Sequence, residues 1–419
     1  MIDREAAGGD LPNLWHLHGF LTVLEIGGVS PASRRLGLSQ PALTQGLKNL
    51  ERVYGAQLLV RVGGRIETTP AGAALAIRAR RALDLVAAGA RDAGAQSPHG
   101  ATTLIRAMSA RRLAILAAIV RHGSFVLAAR SIGASPPTLH RAAHDLEHAI
   151  GVDFFEATSY GVRPSRQAET LARYSLLAFS ELRQAISEIL ALRGESIGRT
   201  VIGAMPLARS RIVPIAVERF SRDNPGHRIT ILEGPYEDLL AGLRRGEVDF
   251  LIGALRDDLA LRDVVQEPLF SDPLSIVMRA DHPTLKAKRL TVADLRRYGW
   301  VAPRMGSPLR RHFDDLFEGR LPPTSVIECN SLSVSRVILA NSDRLMLLSD
   351  AQIEFERSAG LLKSRPHPRG LIQRRIGITL RRAWMPTDVQ AALIQSIRAA
   401  SRRPASPTDI TTMTLEPTT

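Results

Sequence analysis

The stretch SQPALTQGLKNLE, residues 39–51, decides how the N-terminal part of the chain folds, and a variant of it occurs again. SPPTLHRAAHDLE, residues 135–147, follows 96 positions later with matching apolar residues and different polar ones. In each copy a serine and a nearby proline predict a capped helix start, and apolar residues at i, i+4 and i+7 predict one buried stripe. The stripes are Leu43, Leu47 and Leu50 in one copy and Leu139, Ala143 and Leu146 in the other. We interpret the two stretches as copies of one supersecondary unit.

The residues around each copy complete the same pattern. Residues 14–26 and 112–121 predict an amphipathic helix, and SPASRRLG and FVLAARSIG predict a short second helix, each stopped by glycine. Helix, glycine turn and capped helix together predict a helix-turn-helix, and RVGGRIETT and ATSYGVRPS predict the hairpin of a wing. A long helix rich in alanine and leucine then follows each wing.

From residue 199 the pattern changes to alternating strands and helices. TVIGAM, HRITILEG and VDFLIGAL predict strands separated by helices, which is how a parallel α/β domain begins. We expect two lobes with a ligand cleft where strand ends and helix N-termini converge. The predicted boundaries are 11–72 and 109–166 for the winged helices, 73–97 and 167–194 for the long linker helices, 98–108 for a flexible linker, 199–400 for the α/β domain (lobe I about 199–270 and 372–400, lobe II about 271–371) and 401–419 for a disordered tail.

Bulk composition narrows the function classes. The 419 residues carry a formal net charge of +14, which favours an acidic partner such as nucleic acid. The single cysteine, Cys329, excludes an internal disulfide and fits a reducing cytoplasm. There is no apolar run of membrane-spanning length, and the polar N-terminus does not resemble a secretory signal. The sequence also lacks GxSxG, P-loop and GxGxxG motifs, so we expect neither an enzyme nor a cofactor.

The motif-bearing residues resemble the LysR-type transcriptional regulators. GGVSPASRRLGLSQPALTQGLKNLERVYGAQLLVRVGGRIETTPAG is similar to the DNA-binding domain of that family. FSRDNPGHRITILEG and LLAGLRRGEVDFLIG resemble its effector-binding domain, which has a two-lobed fold like that of periplasmic binding proteins. The resemblance covers most of the chain from residue 14 to 399, and the departure is the second winged helix, because the family normally has one.

The resemblance implies that the third helix of the first copy lies in the DNA major groove. Its matching positions are Ser39, Gln40, Pro41, Thr44, Gln45 and Lys48. Gln can read adenine, Thr can touch a thymine methyl group and Lys can bind phosphate. On the wing, Arg61 and Arg65 suit contacts with the backbone or the minor groove.

The second copy presents a different set of side chains. Its candidates are Thr138, His140, Arg141 and His144, while Pro136 replaces the glutamine and Ala157 the first wing arginine. Two interpretations stay open: this copy reads a different half-site, or it keeps the fold chiefly for dimerisation. His140, His144 and His148 are spaced for zinc, but no set of carboxylates or cysteines completes a metal site.

Candidate effector residues lie at the predicted cleft. They are Met205, Leu207, Pro235, Tyr236, Arg304, Ser307, Arg310, Asn330, Ser331 and Ser333. Arg304 and Arg310 favour an acidic or polyhydroxylated ligand, and the resemblance points to a sugar or a small organic acid. Capping is the alternative role for Ser307, which precedes Pro308.

Together these features predict a cytoplasmic, sequence-specific regulator whose DNA binding is modulated by a small-molecule effector. The expected partners are double-stranded promoter DNA, the effector, RNA polymerase and further copies of the chain, as a homodimer or homotetramer, with no membrane. We expect the second linker helix to pair with its counterpart in another subunit through Leu171, Leu182, Ile186 and Leu190, while an alternative pairs the two linker helices within one chain. The alternative function is a ligand-binding or scaffold protein whose winged helices no longer bind DNA specifically.

Overall fold

The computed structural model describes residues 11–95, 108–195, 197–256, 261–318 and 325–402. Most of the predicted linker at 98–108 and of the predicted tail at 401–419 therefore lies outside the described residues. The chain divides into a helical unit that ends at Arg199 and an α/β unit that makes up most of the remainder.

The first winged helix, called here the first head, consists of three helices and a hairpin. These are α1 (Leu14–Ile26), α2 (Val29–Leu36), α3 (Gln40–Tyr54), β1 (Leu59–Val62) and β2 (Arg65–Thr68). Asn13 caps α1 by accepting a hydrogen bond from the backbone N–H of Trp15, and Ser39 caps α3 by accepting from Ala42 at 3.3 Å. Leu43, Leu47 and Leu50 are buried, as the stripe predicted.

The second head repeats this order 96 residues later. Its elements are α5 (Ala110–His122), α6 (Phe125–Ile132), α7 (Pro136–Ile150), β3 (Phe155–Thr158) and β4 (Gly161–Pro164). Ser135 is the N-cap residue of α7, as predicted, but its hydroxyl makes no hydrogen bond to the helix N–H groups. Pro136 and Pro137 lack an N–H, and the Ser135 hydroxyl lies 2.8 Å from the Thr138 hydroxyl instead.

A long helix follows each head, and these linker helices pack against each other within the chain. They are α4 (Pro70–Asp92) and α8 (Arg166–Ala191). The pair is antiparallel, because Arg78 near the start of α4 bonds Glu188 near the end of α8, while Asp92 bonds Tyr174. Leu171 and Leu182 are buried in the core that α8 shares with α4, which favours the pairing within one chain over the predicted pairing between subunits.

The α/β unit contains two five-stranded sheets, one for each lobe. In lobe I the strand order is β6 (His227–Leu232), β5 (Gly198–Ala204), β7 (Phe250–Ala254), β14 (Gln373–Arg381) and β8 (Val264–Pro273). In lobe II it is β11 (Val326–Glu328), β10 (Trp300–Ala302), β12 (Leu345–Leu348), β9 (Ser275–Arg279) and β13 (Leu362–Pro366). Strands β5 and β7 are parallel, as are β10 and its two neighbours, so their carboxyl ends share one edge of each sheet.

Helices cover both sheets, and those that follow the parallel strands begin at the carboxyl edges. The helices are α9 (Pro206–Ser210), α10 (Ile212–Asp223), α11 (Tyr236–Arg244), α12 (Val292–Leu295), α13 (Pro308–Leu316), α14 (Leu332–Ala340), α15 (Glu354–Ser358) and α16 (Asp388–Arg402). Lobe I has a core formed largely by β5, β7, α10 and α16, and lobe II has a separate core around Trp300, Phe313 and Phe317. The chain thus contains two heads joined by paired helices and a two-lobed α/β unit.

Candidate nucleic-acid interface and effector cleft

The first head presents the polar residues of α3 on the side opposite its leucine stripe. Gln40, Gln45 and Lys48 are exposed, as are Ser39 and Pro41, while Thr44 is half-buried. The Thr44 hydroxyl donates to the backbone oxygen of Gln40 at 2.9 Å. The exposed amide and ammonium groups are therefore free to meet a surface outside the protein.

Two polar contacts orient the glutamines on this surface. The Ser30 hydroxyl lies 2.8 Å from the Gln40 amide oxygen, and the Gln45 amide nitrogen lies 3.2 Å from the Asn49 side-chain oxygen. Because Gln40 accepts through its oxygen, its two amide donors remain available for an external acceptor. A fixed orientation lowers the entropy cost of a bidentate contact with a base edge.

The first wing places both predicted arginines in solvent. Arg61 and Arg65 are exposed on β1 and β2, beside a turn made by Gly63 and Gly64. The N–H of Ile66 donates to the oxygen of Gly27 at 3.1 Å, which fixes the hairpin to the end of α1. The wing cations and the polar face of α3 thus belong to one head, as the pattern predicted.

The second head uses the same internal contacts at positions shifted by 96. The N–H of Val162 donates to the oxygen of Gly123 at 2.9 Å, which matches the contact between Ile66 and Gly27. The Glu147 carboxylate accepts from the N–H of Phe154 at 2.8 Å, and Glu51 accepts from Leu58 at 2.9 Å. Both heads therefore hold their third helix and wing in the same way.

The exposed face of α7 differs from that of α3. Thr138, His140, Arg141 and His144 are exposed, in agreement with the pattern. The His140 ring stacks on Phe125 with its centroid 3.7 Å away. His140 therefore has a fixed orientation, while Arg141 stands where the first head has Gln45.

Three exposed apolar or aromatic residues on the second head were not predicted from the sequence. Val126 and Leu127 are about half exposed in the first turn of α6, and Tyr160 at the wing tip is 97% exposed. The equivalent positions in the first head are Ser30, Pro31 and Gly64. Matching the copies position by position could have found them, because all three substitutions add apolar surface.

A backbone contact explains why the second wing lacks an arginine equivalent to Arg65. That position is Gly161, which has φ +146, and a Cβ there would lie 2.4 Å from the oxygen of Gly123. No side chain fits such a distance without a shift of the backbone. The remaining wing cations, Arg163 and Arg166, are exposed.

The cleft of the α/β unit is crossed by polar contacts from both lobes. Arg256, at the end of β7, lies over the Tyr236 ring at 4.3 Å and donates to the oxygen of Gly306 in lobe II at 3.0 Å. Burial raises the pKa of Tyr236. Elsewhere on lobe I, Arg209 of α9 forms an ion pair with Glu233. Sequence reasoning found Tyr236 but missed Arg256, which follows the end of β7 without a motif.

Several predicted effector residues cluster on lobe II. The backbone N–H of Arg304 donates to the side-chain oxygen of Asn330 at 2.9 Å, and the Ser331 and Ser333 hydroxyls are 3.0 Å apart. All four residues are exposed, so their remaining polar groups can meet a ligand. On lobe I, Pro235 is exposed and Met205 packs its side chain against Gly253.

Three predicted effector residues have internal roles instead. Arg310 is buried and bonds Asp314 at 2.9 Å, Glu328 at 2.6 Å and the oxygen of Pro303 at 3.1 Å. Ser307 caps α13 by accepting from the N–H of Arg310 at 3.2 Å. Leu207 is buried beside a cavity of about 270 Å³ that is also lined by Arg211, Ile212, Phe270 and Ala351. Arg304 is therefore the better cation for a ligand, since Arg310 is already satisfied.

Within the described part of the chain no group of three or more His, Cys, Asp or Glu residues is placed to hold a metal ion. No helix among the described residues is long and apolar enough to cross a membrane.

Two family models match successive regions of the chain. The family model described as the LysR substrate binding domain matches residues 193–402. The model of the bacterial regulatory helix-turn-helix protein, lysR family, matches twice, at residues 14–73 and 110–169.

Two curated relatives differ in how much of the chain they match. The HTH-type transcriptional regulator GalR of Pseudomonas putida is 33% identical over 402 residues, which cover 95% of this chain and 98% of that protein. The regulator PcaQ of Agrobacterium fabrum is 27% identical over 295 residues, covering 70% of this chain and 94% of PcaQ. The GalR match is thus long enough to include both heads.

A solved structure supports the fold. A full-length OxyR variant from Pseudomonas aeruginosa matches with a TM-score of 0.52 and 23% identity, covering 70% of this chain and 93% of that one.

Proposed function

Since the chain belongs to the LysR family of DNA-binding transcriptional regulators, we propose that its first head reads promoter DNA through α3 and its wing. We also propose that a small molecule between the two lobes modulates this binding. The family consists of regulators rather than enzymes, and its members bind DNA and effectors and form oligomers.

One observation carries the DNA-reading proposal. Gln40, Gln45 and Lys48 extend from a capped helix whose opposite side is buried, and Arg61 and Arg65 extend from the adjoining wing. This arrangement combines amide groups that can pair with base edges and cations that can pair with phosphates. The phosphate contacts set the affinity and its salt dependence, and the amides set the base preference.

The cleft supports a small polar effector, and we propose a small organic acid or a sugar. Arg304, Asn330, Ser331 and Ser333 offer hydrogen-bond donors on lobe II, and Tyr236 with Arg256 closes the opposite side. Since Arg256 already bridges to Gly306, a ligand that competes for this guanidinium would change how the lobes are held together. Such a change would reach RNA polymerase through the arrangement of the DNA-bound chains.

DNA footprinting on the region upstream of the protein's own gene tests the DNA-reading proposal. We expect protection by the wild type that weakens steeply with salt, and its loss in Gln40→Ala/Lys48→Ala. Loss of one phosphate contact should reduce the slope of log K against log salt by about 1. Lys286→Ala, an exposed lysine of the α/β unit, is the matched control and should leave the footprint unchanged.

Two outcomes would overturn the proposal. Binding that is equal for all DNA sequences would leave the heads as nonspecific cationic surfaces. No binding at low salt would favour a scaffold role.

The effector proposal has its own test, in which a panel of hydroxy acids, aromatic acids and sugars is added to the footprint. A response that Arg304→Ala leaves intact would contradict the assigned cleft.

A further inference from the structure

We infer that one chain reads two unlike DNA half-sites held at a fixed spacing, because its two heads form a pseudo-dimer through the linker helices. This inference rests on the proposed function of the first head and extends it to the second. It predicts a target that is not a palindrome, in contrast to the symmetric target expected when identical heads pair.

A buried charge cluster joins α4 and α8. The Arg78 side chain is completely buried and bonds Glu181 at 2.8 Å, Gln184 at 2.6 Å and Glu188 at 3.1 Å. Arg81 bonds the second oxygen of Glu181 at 2.9 Å. Burial alone would lower the pKa of Arg78, but the hydrogen bonds and charges of Glu188 and Glu181 raise it.

This cluster specifies a pairing between unlike helices. Two copies of α4 facing each other would bury Arg78 and Arg81 without their carboxylates, and two copies of α8 would bury Glu181 without a cation. Either arrangement leaves buried charges unpaired, which is strongly unfavourable. Charges that satisfy only the mixed pair are a known means of selecting partners among helices. The linker helices are therefore complementary to each other rather than to themselves.

The antiparallel pair of linker helices places each head beside the end of the other head's linker helix. Gly94, just after α4, lies against Val152 of the second head, since a Cβ on Gly94 would be 3.6 Å from that side chain. Arg193, just after α8, donates to the backbone oxygen of Gly55 in the first head. Each linker helix thus begins at its own head and ends beside the other one. At 1.5 Å per residue, α4 spans roughly 35 Å, which is about one turn of B-DNA.

The exposed faces of the two third helices carry different side chains at matching positions. Both third helices are held by matching contacts, and both expose the positions of Gln45 and Lys48, so the second head can present α7 as the first presents α3. Gln45 corresponds to Arg141 and Lys48 to His144. Glutamine pairs best with adenine and arginine with guanine. Val126 and Leu127 further add apolar surface that suits thymine methyl groups. The two half-sites must then differ in sequence.

Selection of bound duplexes from a random pool, with the full-length protein near physiological salt, tests this inference. We expect a consensus of two unlike motifs about one helical turn apart. Gln45→Ala/Lys48→Ala should erase the preference in one motif, and Arg141→Ala/His144→Ala should erase it in the other, each by about tenfold or more. All four residues are exposed, so the heads should fold. Lys286→Ala/Arg297→Ala, which removes two exposed charges from the α/β unit, should return the wild-type consensus.

A second experiment, which varies the spacing between the two DNA motifs, tests the role of the linker helices. Five extra base pairs between the motifs turn the second motif to the opposite side of the duplex, so wild-type affinity should drop to that for a single motif. Arg78→Glu should remove this sensitivity, and Arg78→Glu/Glu188→Arg should restore it by reversing an ion pair. Recovery in the double variant would show that Arg78→Glu acts through the lost ion pair and not by unfolding the protein.

The outcomes separate the two proposals. A palindromic consensus, a single motif, or a consensus unchanged by Arg141→Ala/His144→Ala would overturn this inference and leave the first head as a DNA reader. A pool with no enriched sequence would overturn both the inference and the proposed function.

Discussion

The two heads share the contacts that hold the third helix and the wing, but their exposed surfaces differ. Glu51 and Glu147 each accept a hydrogen bond from the residue just before the wing, and Gly27 and Gly123 each hold the wing hairpin. On the outer face, by contrast, glutamine and lysine give way to arginine and histidine. The fold of such a head therefore depends on a few buried contacts, and the exposed residues can change while the fold stays the same.

The linker helices show the opposite relation. Each follows its head at the same offset, yet their buried charges are of opposite sign, with Arg78 on α4 and Glu181 on α8. Two copies of α4 would bury Arg78 without these carboxylates, and two copies of α8 would bury Glu181 without this arginine, so the buried charges match only because the two linker helices differ. Because the two heads are similar and the two linker helices are complementary, one chain can hold a pair of heads together.

The largest expected effect comes from removing the charge that joins the two linker helices. Arg78→Ala removes the fully buried cation, so Glu188 loses its ion-pair partner and Glu181 keeps only Arg81, which should cost about 3–5 kcal/mol. Amide hydrogen exchange should show this loss as faster opening of both α4 and α8. Arg80→Ala, which changes an exposed neighbour, should alter the opening free energy by less than about 0.5 kcal/mol. Slower opening of either helix in Arg78→Ala would contradict the assigned role.

A smaller effect should distinguish the two wings. Gly161→Ala adds a methyl group that would meet the oxygen of Gly123 at 2.4 Å, in a backbone conformation that few side chains adopt. We expect it to cost about 2–3 kcal/mol, measured as loss of exchange protection in β3 and β4. Arg65→Ala at the equivalent position should keep the first wing folded and weaken DNA binding instead. Equal protection of β4 in wild type and Gly161→Ala would mean that the close contact relaxes easily.

The sequence predicts the heads well because their signals are local. The leucine stripe of α3 leaves Gln40, Gln45 and Lys48 on the opposite side, and the structure exposes all three. The carboxyl ends of the strands likewise locate the cleft, since parallel strands share one edge.

Contacts between distant parts of the chain were harder to predict. Periodicity shows that α8 has an apolar face but not which helix covers it, so the choice between pairing across subunits and pairing within the chain remained open. One signal was available: Arg78 lies on the apolar face of α4, with Leu75 three positions before it and Ala82 four after it. An arginine on such a face needs acidic partners, and Glu181 and Glu188 are spaced to supply them. The internal contacts of Arg310 had no comparable signal, because Glu328 is distant in sequence.

A matched pair of substitutions should affect the two heads equally. Glu51→Ala and Glu147→Ala each remove the acceptor for one partly buried N–H group, which should cost about 1 kcal/mol in each head. Exchange of the amides of α3 and α7 measures the two losses in the same experiment. Glu51→Gln and Glu147→Gln keep an acceptor and should show smaller losses. A clear difference between the heads would mean that their interiors are less equivalent than the matching contacts suggest.

The smallest expected effect separates the heads by pH. Burial lowers the pKa of His16 in α1, whose ring packs against Gly46 of α3, and burial together with Arg35 lowers the pKa of His18. The second head has Arg112 and Ala114 at these positions, and Arg112 forms an ion pair with Asp145 at 2.6 Å.

Proton linkage determines the direction in which the stability of the first head changes with pH. A histidine whose pKa is lowered by folding binds fewer protons in the folded state than in the unfolded chain, so folding stability falls as pH drops below about 6.5. Between about pH 7 and 5, the opening free energy of α1 and α3 should therefore decrease relative to that of α5 and α7, once the intrinsic exchange rates are corrected. His16→Gln/His18→Gln should remove the difference in slope. If the slope persisted in that variant, the acid sensitivity would have to arise from other groups of the first head, and these two histidines would not distinguish the heads.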